Sequence, residues 1–248
     1  MRAGDKTRGP SWRCAYLARV RNGAYATIRG IEVSQLRWRV AQAAEKRWSR
    51  RYLGKRDPAE YLAWKRAYWR TFLGRVGLGT ELRGRALDAG CGPAGIFTVL
   101  NDCEVVAVDP LLGDYAKLPH FEPAATPNVE FTASTLETFT AQQPFDYVFC
   151  LNVINHVRDL DGALQVLAKA LKPGGTFVLS VDAHRHAWLK PIFRAIPGDV
   201  LHPHQLDLAD YESACARIGL TVESKLLYKK EFLFDYWVLT LRKRPWHD

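Results

Sequence analysis

The chain has 248 residues, of which 48% are hydrophobic and 25% are charged. This composition suits the core of one domain, or of one domain with an extension. No apolar run approaches the roughly 18 residues of a membrane-spanning helix, and no secretory signal follows the first arginines. The five cysteines contain no C-x-x-C pair, which argues against a disulfide framework or a thiolate zinc site and favours a cytoplasmic location.

Positive charge is concentrated in the first third of the chain. Residues 1–85 hold 21 Lys and Arg against 6 Asp and Glu, whereas the remaining residues hold 14 against 20. This asymmetry indicates an anionic partner for residues 1–85, such as RNA, an anionic membrane surface or an acidic substrate carrier. A solvated helical face, or a lid that docks on the acidic part of its own chain, would carry the same charges.

Two helices are predicted in this basic region. Residues 33–53 carry apolar side chains at helical spacing, with arginines on the opposite side. A second helix begins with Asp57 as its N-cap and Pro58 in its first turn. Its aromatic stripe suits core packing, a substrate lid or a surface anchor. We therefore predict a helical extension or lid over residues 1–80 and a second domain over residues 81–248.

From residue 85 onward, short apolar runs alternate with helical segments, the pattern of βαβ units around a parallel sheet. The predicted strands are residues 85–89, 105–109, 129–132, 145–151 and 176–181. The predicted helices between them are residues 93–100, a weak one near Tyr115, 136–142 and 161–171. A polar stretch at 182–205 leads to a predicted helix at 208–218, and predicted strands at 221–229 and 236–243 form an antiparallel edge.

A glycine-rich loop follows the first predicted strand. The strand ends at Asp88, the turn Gly90-Cys91-Gly92 follows, and Gly95 lies where the next element must pass close to the sheet. Because glycine has no side chain to hold a ligand away from the backbone, the loop predicts a nucleotide cradle. About twenty residues further on, the second strand ends at Asp109, whose carboxylate can accept both ribose hydroxyls of an adenosine.

The charge beneath this loop distinguishes between two cofactors. Dinucleotide-binding loops hold a pyrophosphate at the start of the following helix, and the carboxylate of Asp88 would repel that group. The sulfonium and ammonium groups of S-adenosylmethionine would instead be attracted to the same carboxylate. The sequence therefore favours S-adenosylmethionine over NAD.

At these motifs the chain resembles the class I S-adenosylmethionine-dependent methyltransferases, over residues 82–244. ALDAGCGPAG is similar to the family's first motif, VVAVDP to its second, FDYVFCLNVINHV to its fourth-strand motif and LKPGGTFVLSV to its fifth-strand motif. The segment HPHQLDLADYESACARIGLTV is similar to one in ubiquinone-type and related small-molecule methyltransferases. The resemblance implies an α/β, Rossmann-like doubly wound sheet of seven strands, in the order 3-2-1-4-5-7-6 with strand 7 antiparallel.

The resemblance also implies which residues bind the cofactor. The glycine loop would line the methionine half, Asp109 would bind the ribose, Pro110 and the main chain of Leu136 would adjoin the adenine, and Leu151 and Asn152 would contact the methionine. Many relatives carry an aspartate for the adenine amino group, where this chain has Ser134-Thr135. The expected set is Asp88, Gly90, Cys91, Gly92, Gly95, Asp109, Pro110, Thr135, Leu136, Leu151 and Asn152.

Five of the seven histidines follow the predicted fourth and fifth strands, at the edge where open α/β sheets bind ligands. Methyl transfer needs an aligned acceptor that loses a proton, so His156, His184 and His204 are the candidate general bases. His156 would equally suit a helix start bonded to a carbonyl. The H-x-H pairs at 184–186 and 202–204 could face a metal, but most family members need none and we expect none.

We therefore expect a methyltransferase that modifies an oxygen or nitrogen of a small-molecule or lipid-like acceptor. An RNA methyltransferase that uses residues 1–85 on phosphates is the alternative, although no RNA-binding module precedes the main domain and the D/N-P-P-Y/F/W tetrapeptide is absent. A third hypothesis is a binding protein that has kept the fold without catalysis. The expected location is cytoplasmic, with peripheral membrane contact as an option, and the oligomeric state stays open.

Overall fold

The computed structural model describes residues 51–185, 206–230 and 234–244, together with residues 43, 46 and 47. Within the predicted helix at 33–53, the described residues 43, 46, 47 and 51–53 are helical, and the other positions lie outside the described residues. The histidine-rich stretch at 186–205 also lies outside them. None of the helices in the described ranges is long and apolar enough to cross a membrane.

Seven strands form a single mixed sheet. They are β1 (Gly84–Ala89), β2 (Cys103–Val108), β3 (Val129–Thr132), β4 (Phe145–Leu151), β5 (Leu171–His184), β6 (Leu220–Lys230) and β7 (Phe234–Lys243). Their order is β3-β2-β1-β4-β5-β7-β6. Strands β1 to β5 pair in parallel, whereas β7 is antiparallel to both β5 and β6. The predicted fold class and strand order are confirmed.

Between residues 58 and 217, the described part of the chain holds four α-helices: α1 (Pro58–Arg75), α2 (Leu112–Tyr115), α3 (Leu160–Ala170) and α4 (Leu208–Arg217). Helix α1 begins as predicted, since Asp57 accepts a hydrogen bond from the amide of Glu60 at 3.0 Å. Asp207 and Asp210 form a reciprocal capping box at the start of α4. These side chains satisfy amides that have no partner within their own helix.

Side chains on the two faces of the sheet build two cores. On one face, Leu87 of β1 packs with residues of α3 and α4. On the other face, Ala86 of β1 packs with Trp69, Phe72 and Leu73 of α1. Burial on both faces explains why the parallel strands read as continuous apolar runs. Helix α1 thus packs against the sheet, and the domain division at residue 80 stays a prediction.

Two predicted helices differ from the structure. The predicted helix at 93–100 is reduced to a 3₁₀ turn, Ile96–Val99, and Gly95 just before it is extended. The predicted helix at 136–142 is wrong, since only residues 136–138 form a turn. There the hydroxyl of Thr138 bonds with those of Ser134 and Thr135 at 3.0 Å, and such local side-chain bonds compete with a helix.

Candidate functional site

A cavity of about 700 Å³ lies at the carboxyl ends of β1, β2 and β4, and α1 forms one of its walls. Its volume is typical of a pocket for a small molecule. Most of the predicted site residues line it, namely Gly90, Cys91, Gly92, Asp109, Pro110, Thr135, Leu136, Leu151, Asn152 and His156. The carboxyl edge of the sheet therefore brings together side chains from five separate segments of the chain.

The loop after β1 is tied to β2 by its backbone. The amides of Gly90 and Cys91 donate to the carbonyl of Val108 at 2.7 and 3.0 Å. Gly90 has a φ of 78° and Gly92 a φ of 58°, a conformation that favours glycine. A β-carbon at Gly90 would collide with the side chain of Val153, whereas one at Gly92 would meet nothing within 4 Å. Gly90 is thus required by packing and Gly92 by backbone conformation.

Asp109, just after β2, holds the glycine loop by a hydrogen bond from its backbone. Its Oδ2 accepts from the amide of Gly92 at 3.0 Å and its Oδ1 from the amide of Leu111 at 2.8 Å. Burial raises the pKa of Asp109, and these two backbone donors oppose the rise. Each carboxylate oxygen keeps a further lone pair, so Asp109 can shape the loop and still accept ligand hydroxyls.

Asp88 and Gly95 lie behind the loop and are not among the residues that line the cavity. Asp88 is 3% exposed, and its Oδ2 accepts from the amide of Phe97 at 3.0 Å. A β-carbon at Gly95 would collide with that carboxylate. Burial raises the pKa of Asp88 to about 7, although the Phe97 amide and the charge of Lys65 lower it. Asp88 thus shapes the loop from behind, and its predicted contact with a cofactor, like that of Gly95, stays a prediction.

Lys65 of α1 is a cavity residue that the sequence analysis missed. Its ammonium lies 4.5 Å from the ring centroid of Trp69 and 5.6 Å from that of Tyr68. Burial lowers the pKa of Lys65 to about 8, and the charge of Asp88 opposes that shift. The indole of Trp69 donates to the carbonyl of Ala94 at 2.9 Å, which fixes α1 against the glycine loop. A lysine inside an aromatic helical stripe was the available signal.

Three tyrosines from distant elements form a second wall, which we call the tyrosine wall: Tyr68 of α1, Tyr228 of β6 and Tyr236 of β7. The ring centroids of Tyr68 and Tyr228 lie 6.2 Å apart, and those of Tyr228 and Tyr236 lie 5.6 Å apart. Burial raises the pKa of Tyr236 to about 12 and raises that of Tyr68, to which the two neighbouring phenols add. No sequence motif signalled this wall.

The structure brings one of the three candidate histidines to the cavity. His156 lies in the 3₁₀ turn Ile154–His156 after β4 and lines the cavity. His184 ends β5 as a buried residue, and its ring centroid lies 4.5 Å from that of Phe234; it is not among the lining residues. His204 lies outside the described residues, as do His186 and His202. Across the described ranges, no cluster of His, Cys, Asp and Glu could hold a metal ion.

Curated relatives match part of the chain. It is 35% identical over 100 residues to the ubiquinone biosynthesis O-methyltransferase of Bradyrhizobium sp. (strain ORS 278), covering 39% of each chain. It is 31% identical over 117 residues to the enzyme of the same name from Idiomarina loihiensis, covering 45% of this chain and 48% of that one. The chain thus matches less than half the length of these relatives.

Solved structures share the fold at low sequence identity. The Burkholderia thailandensis 1,6-didemethyltoxoflavin-N1-methyltransferase, with bound S-adenosylhomocysteine, has a TM-score of 0.60 at 17% identity, covering 86% of this chain and 91% of that one. The N-methyltransferase NodS from Bradyrhizobium japonicum WM9 has a TM-score of 0.54 at 15% identity, covering 73% and 97%. A family model described as a methyltransferase domain matches residues 61–225, beginning inside the predicted extension. The chain therefore belongs to this methyltransferase domain family.

Proposed function

We propose that the protein is an S-adenosylmethionine-dependent methyltransferase and that it modifies an oxygen or nitrogen atom of a small-molecule or lipid-like acceptor. The observation that carries the proposal is one cavity of about 700 Å³ in which the glycine loop and Asp109 adjoin the tyrosine wall. A cavity of this size can hold a nucleoside cofactor together with a small acceptor. The curated relatives, named as ubiquinone biosynthesis O-methyltransferases, support a small acceptor.

The residues around the glycine loop fit the chemical groups of S-adenosylmethionine. Asp109 would accept the ribose hydroxyls, and Leu136 would cover the adenine. The bare backbone of the loop would adjoin the methionine half, with the buried charge of Asp88 behind it. Lys65 would pair with the cofactor's carboxylate, since an ammonium packed against aromatic rings gains from an anionic partner. When bound, the cofactor supplies a methyl group activated by its sulfonium.

The protein's part in the reaction is alignment, exclusion of water and removal of a proton. The tyrosine wall and the ring of Trp64 present apolar faces to the cavity, which would orient a flat or apolar acceptor. His156 is the candidate base that lines this cavity, and its imidazole would take the proton from the acceptor's hydroxyl or amine. A bound acceptor that covers these rings would keep water from competing as the nucleophile.

A lipid-like acceptor is supported by the surface next to the cavity. Trp64, which lines the cavity, is 50% exposed. Exposed Arg51, Lys55 and Arg56 surround a second hollow nearby, and the guanidinium of Arg56 lies 6.0 Å from the Trp64 ring centroid. An exposed indole beside cations suits an anionic membrane surface. We therefore propose a cytoplasmic protein with peripheral membrane contact. RNA contact through residues 1–85 remains the alternative, since the same cations would bind phosphates.

Methyl-labelled cofactor incubated with cell extract tests the acceptor class. Label in small molecules or lipids is the expected result, and label confined to RNA would support the alternative. Asp109→Ala should abolish both the labelling and calorimetric cofactor binding, whereas Asp102→Ala, at an exposed acid just before β2, should leave both intact. If wild type binds the cofactor yet labels no fraction, the chain is a binding protein.

Vesicle flotation tests the membrane contact. Wild type should float with phosphatidylglycerol vesicles and not with phosphatidylcholine vesicles, because the cations need an anionic surface. Trp64→Ala should reduce the floated fraction, whereas Thr71→Ala, on the exposed side of the same helix, should not. Equal flotation of wild type and Trp64→Ala would argue against α1 as the contact.

A further inference from the structure

Asn152 has an unusual backbone conformation at the edge of the cavity. It follows β4 with a φ of 59°, the one positive value at a non-glycine residue in the described ranges. Asparagine tolerates the left-handed region better than most residues, but the conformation still needs support from its surroundings. Asn152 also lines the cavity next to Leu151. The structure must therefore contain groups that hold this peptide in place.

Ser180 of β5 is the group that holds the peptide. The amide of Asn152 donates to Ser180 Oγ at 2.8 Å and lies 3.4 Å from the carbonyl oxygen of the same residue. Ser180 has no exposed surface. Water therefore has no part in setting its hydroxyl, and its orientation depends on the protein groups around it.

Tyr236 of β7 determines that orientation. Its hydroxyl donates to Ser180 Oγ at 2.7 Å, so this one oxygen accepts from both the Asn152 amide and the phenol. Tyr236 can reach Ser180 because β7 pairs with β5, and the register places Tyr236 opposite Asp182. The ring of Tyr236 also contacts that of Tyr228, which in turn contacts the ring of Tyr68. The tyrosine wall, which begins on α1, is thus linked through the Tyr236 hydroxyl and Ser180 to Asn152.

We propose that Tyr236 and Ser180 are positioning residues of the methyl-transfer site, which hold the main chain of Asn152 for the cofactor and couple it to the tyrosine wall. The inference rests on the proposed function in placing the cofactor against Asn152. Removing the Tyr236 hydroxyl would leave Ser180 Oγ free to turn away from the Asn152 amide while the ring of Tyr236 stays in the wall. The cofactor would then meet a peptide that is no longer fixed.

Two variants test this role by S-adenosylhomocysteine calorimetry. Tyr236→Phe and Ser180→Ala should each weaken binding about three- to tenfold, the effect of losing one hydrogen bond. The double variant should bind no more weakly than Ser180→Ala alone, because both changes break the same chain. Hydrogen exchange of a peptide spanning residues 149–156 should become faster in both single variants. Thermal melting establishes that each variant is folded.

Tyr147→Phe is the matched control, because Tyr147 lies on β4 and its ring stacks on Phe149 at 6.4 Å. It should leave both affinity and exchange unchanged. Unchanged affinity and exchange in Tyr236→Phe would overturn the positioning role, and so would strictly additive losses in the double variant or an equal loss in Tyr147→Phe. If wild type itself binds no S-adenosylhomocysteine, the placement of the cofactor fails and the inference fails with it.

Discussion

Replacing Asp88 with Asn should stabilise the ligand-free protein, and the gain should grow as the pH rises. Burial raises the pKa of Asp88 from 3.8 to about 7, so the folded state favours the protonated carboxyl. Ionisation then becomes costly as the pH rises from the unfolded value through the folded one, and wild type loses stability across that window. Asn cannot ionise, and its side-chain oxygen can still accept from the amide of Phe97.

The shift in pKa sets the size of the effect. A change from 3.8 to about 7 corresponds to about 4 kcal/mol at a pH above both values, at about 1.4 kcal/mol for each pKa unit. Part of this is already lost by pH 5, which lies above the unfolded value, and the remaining interval up to the folded pKa is about two pKa units. Asp88→Asn should therefore gain about 3 kcal/mol more over wild type at pH 8 than at pH 5. Relaxation of the loop on ionisation reduces the difference, and we expect at least about 1 kcal/mol.

Urea unfolding at pH 5 and pH 8, followed by tryptophan fluorescence, measures this difference. Asp146→Asn is the control of opposite sign: burial raises the pKa of Asp146, but bonds from Lys172 and the amide of Arg85 outweigh burial and lower it. That variant should lose stability at pH 8. Calorimetric titration with S-adenosylmethionine should also show weaker binding in Asp88→Asn, since the buried charge is gone. An equal gain at both pH values would refute the assignment of a buried, ionising Asp88.

Two further changes probe the loop and helix α1. Gly90→Ala should lower the free energy of unfolding by about 2 kcal/mol or more, because φ is 78° and the new β-carbon would collide with Val153. The control Gly74→Ala should keep the wild-type stability, since a β-carbon there meets nothing within 4 Å. Equal melting temperatures of the two variants would contradict this prediction. Lys65→Met should weaken S-adenosylmethionine binding, and wild-type affinity should fall as the pH rises through about 8, the pKa of Lys65. Calorimetry from pH 7 to 9 measures the affinity for S-adenosylmethionine. The prediction for Lys65 fails if the wild-type affinity does not change over this range while Lys65→Arg binds as tightly as wild type.

The strand order could be predicted because each strand is marked by residues that are neighbours in the sequence. Each parallel strand is a short apolar run. Asp88 lies next to the last residue of β1 and Asp109 directly follows β2, and these two acidic residues carry the motif resemblance. The antiparallel β7, inserted between β5 and β6, was available only through that resemblance. Hydrophobic pattern alone would have placed the last two strands side by side at the edge and left their order in the sheet open.

The two wrongly predicted helices also have a feature in common, which is bonding to distant positions in the chain. In the segment 93–100, the amide of Phe97 is satisfied by Asp88 from the preceding strand. In the segment 136–142, Glu137 accepts from the amide of Arg158, twenty-one residues away, at 2.8 Å. Both segments satisfy polar groups by bonds between distant positions, which periodicity over a short window does not register.

The cofactor half of the site and the tyrosine wall differ in how far apart their residues lie in the sequence. The cofactor half is built largely from one run of chain between Asp88 and Asp109, so its chemistry could be recognised from spacing. The tyrosine wall is assembled from α1, β6 and β7, and its members meet only because β7 lies beside β5. Changes at Tyr228, whose ring contacts Tyr68 and Tyr236, should therefore alter which acceptor is methylated with little effect on cofactor affinity. Changes at Tyr236 should alter both, because its hydroxyl reaches Ser180. A Tyr228→Ala variant that lost cofactor affinity as strongly as Tyr236→Phe would contradict this separation.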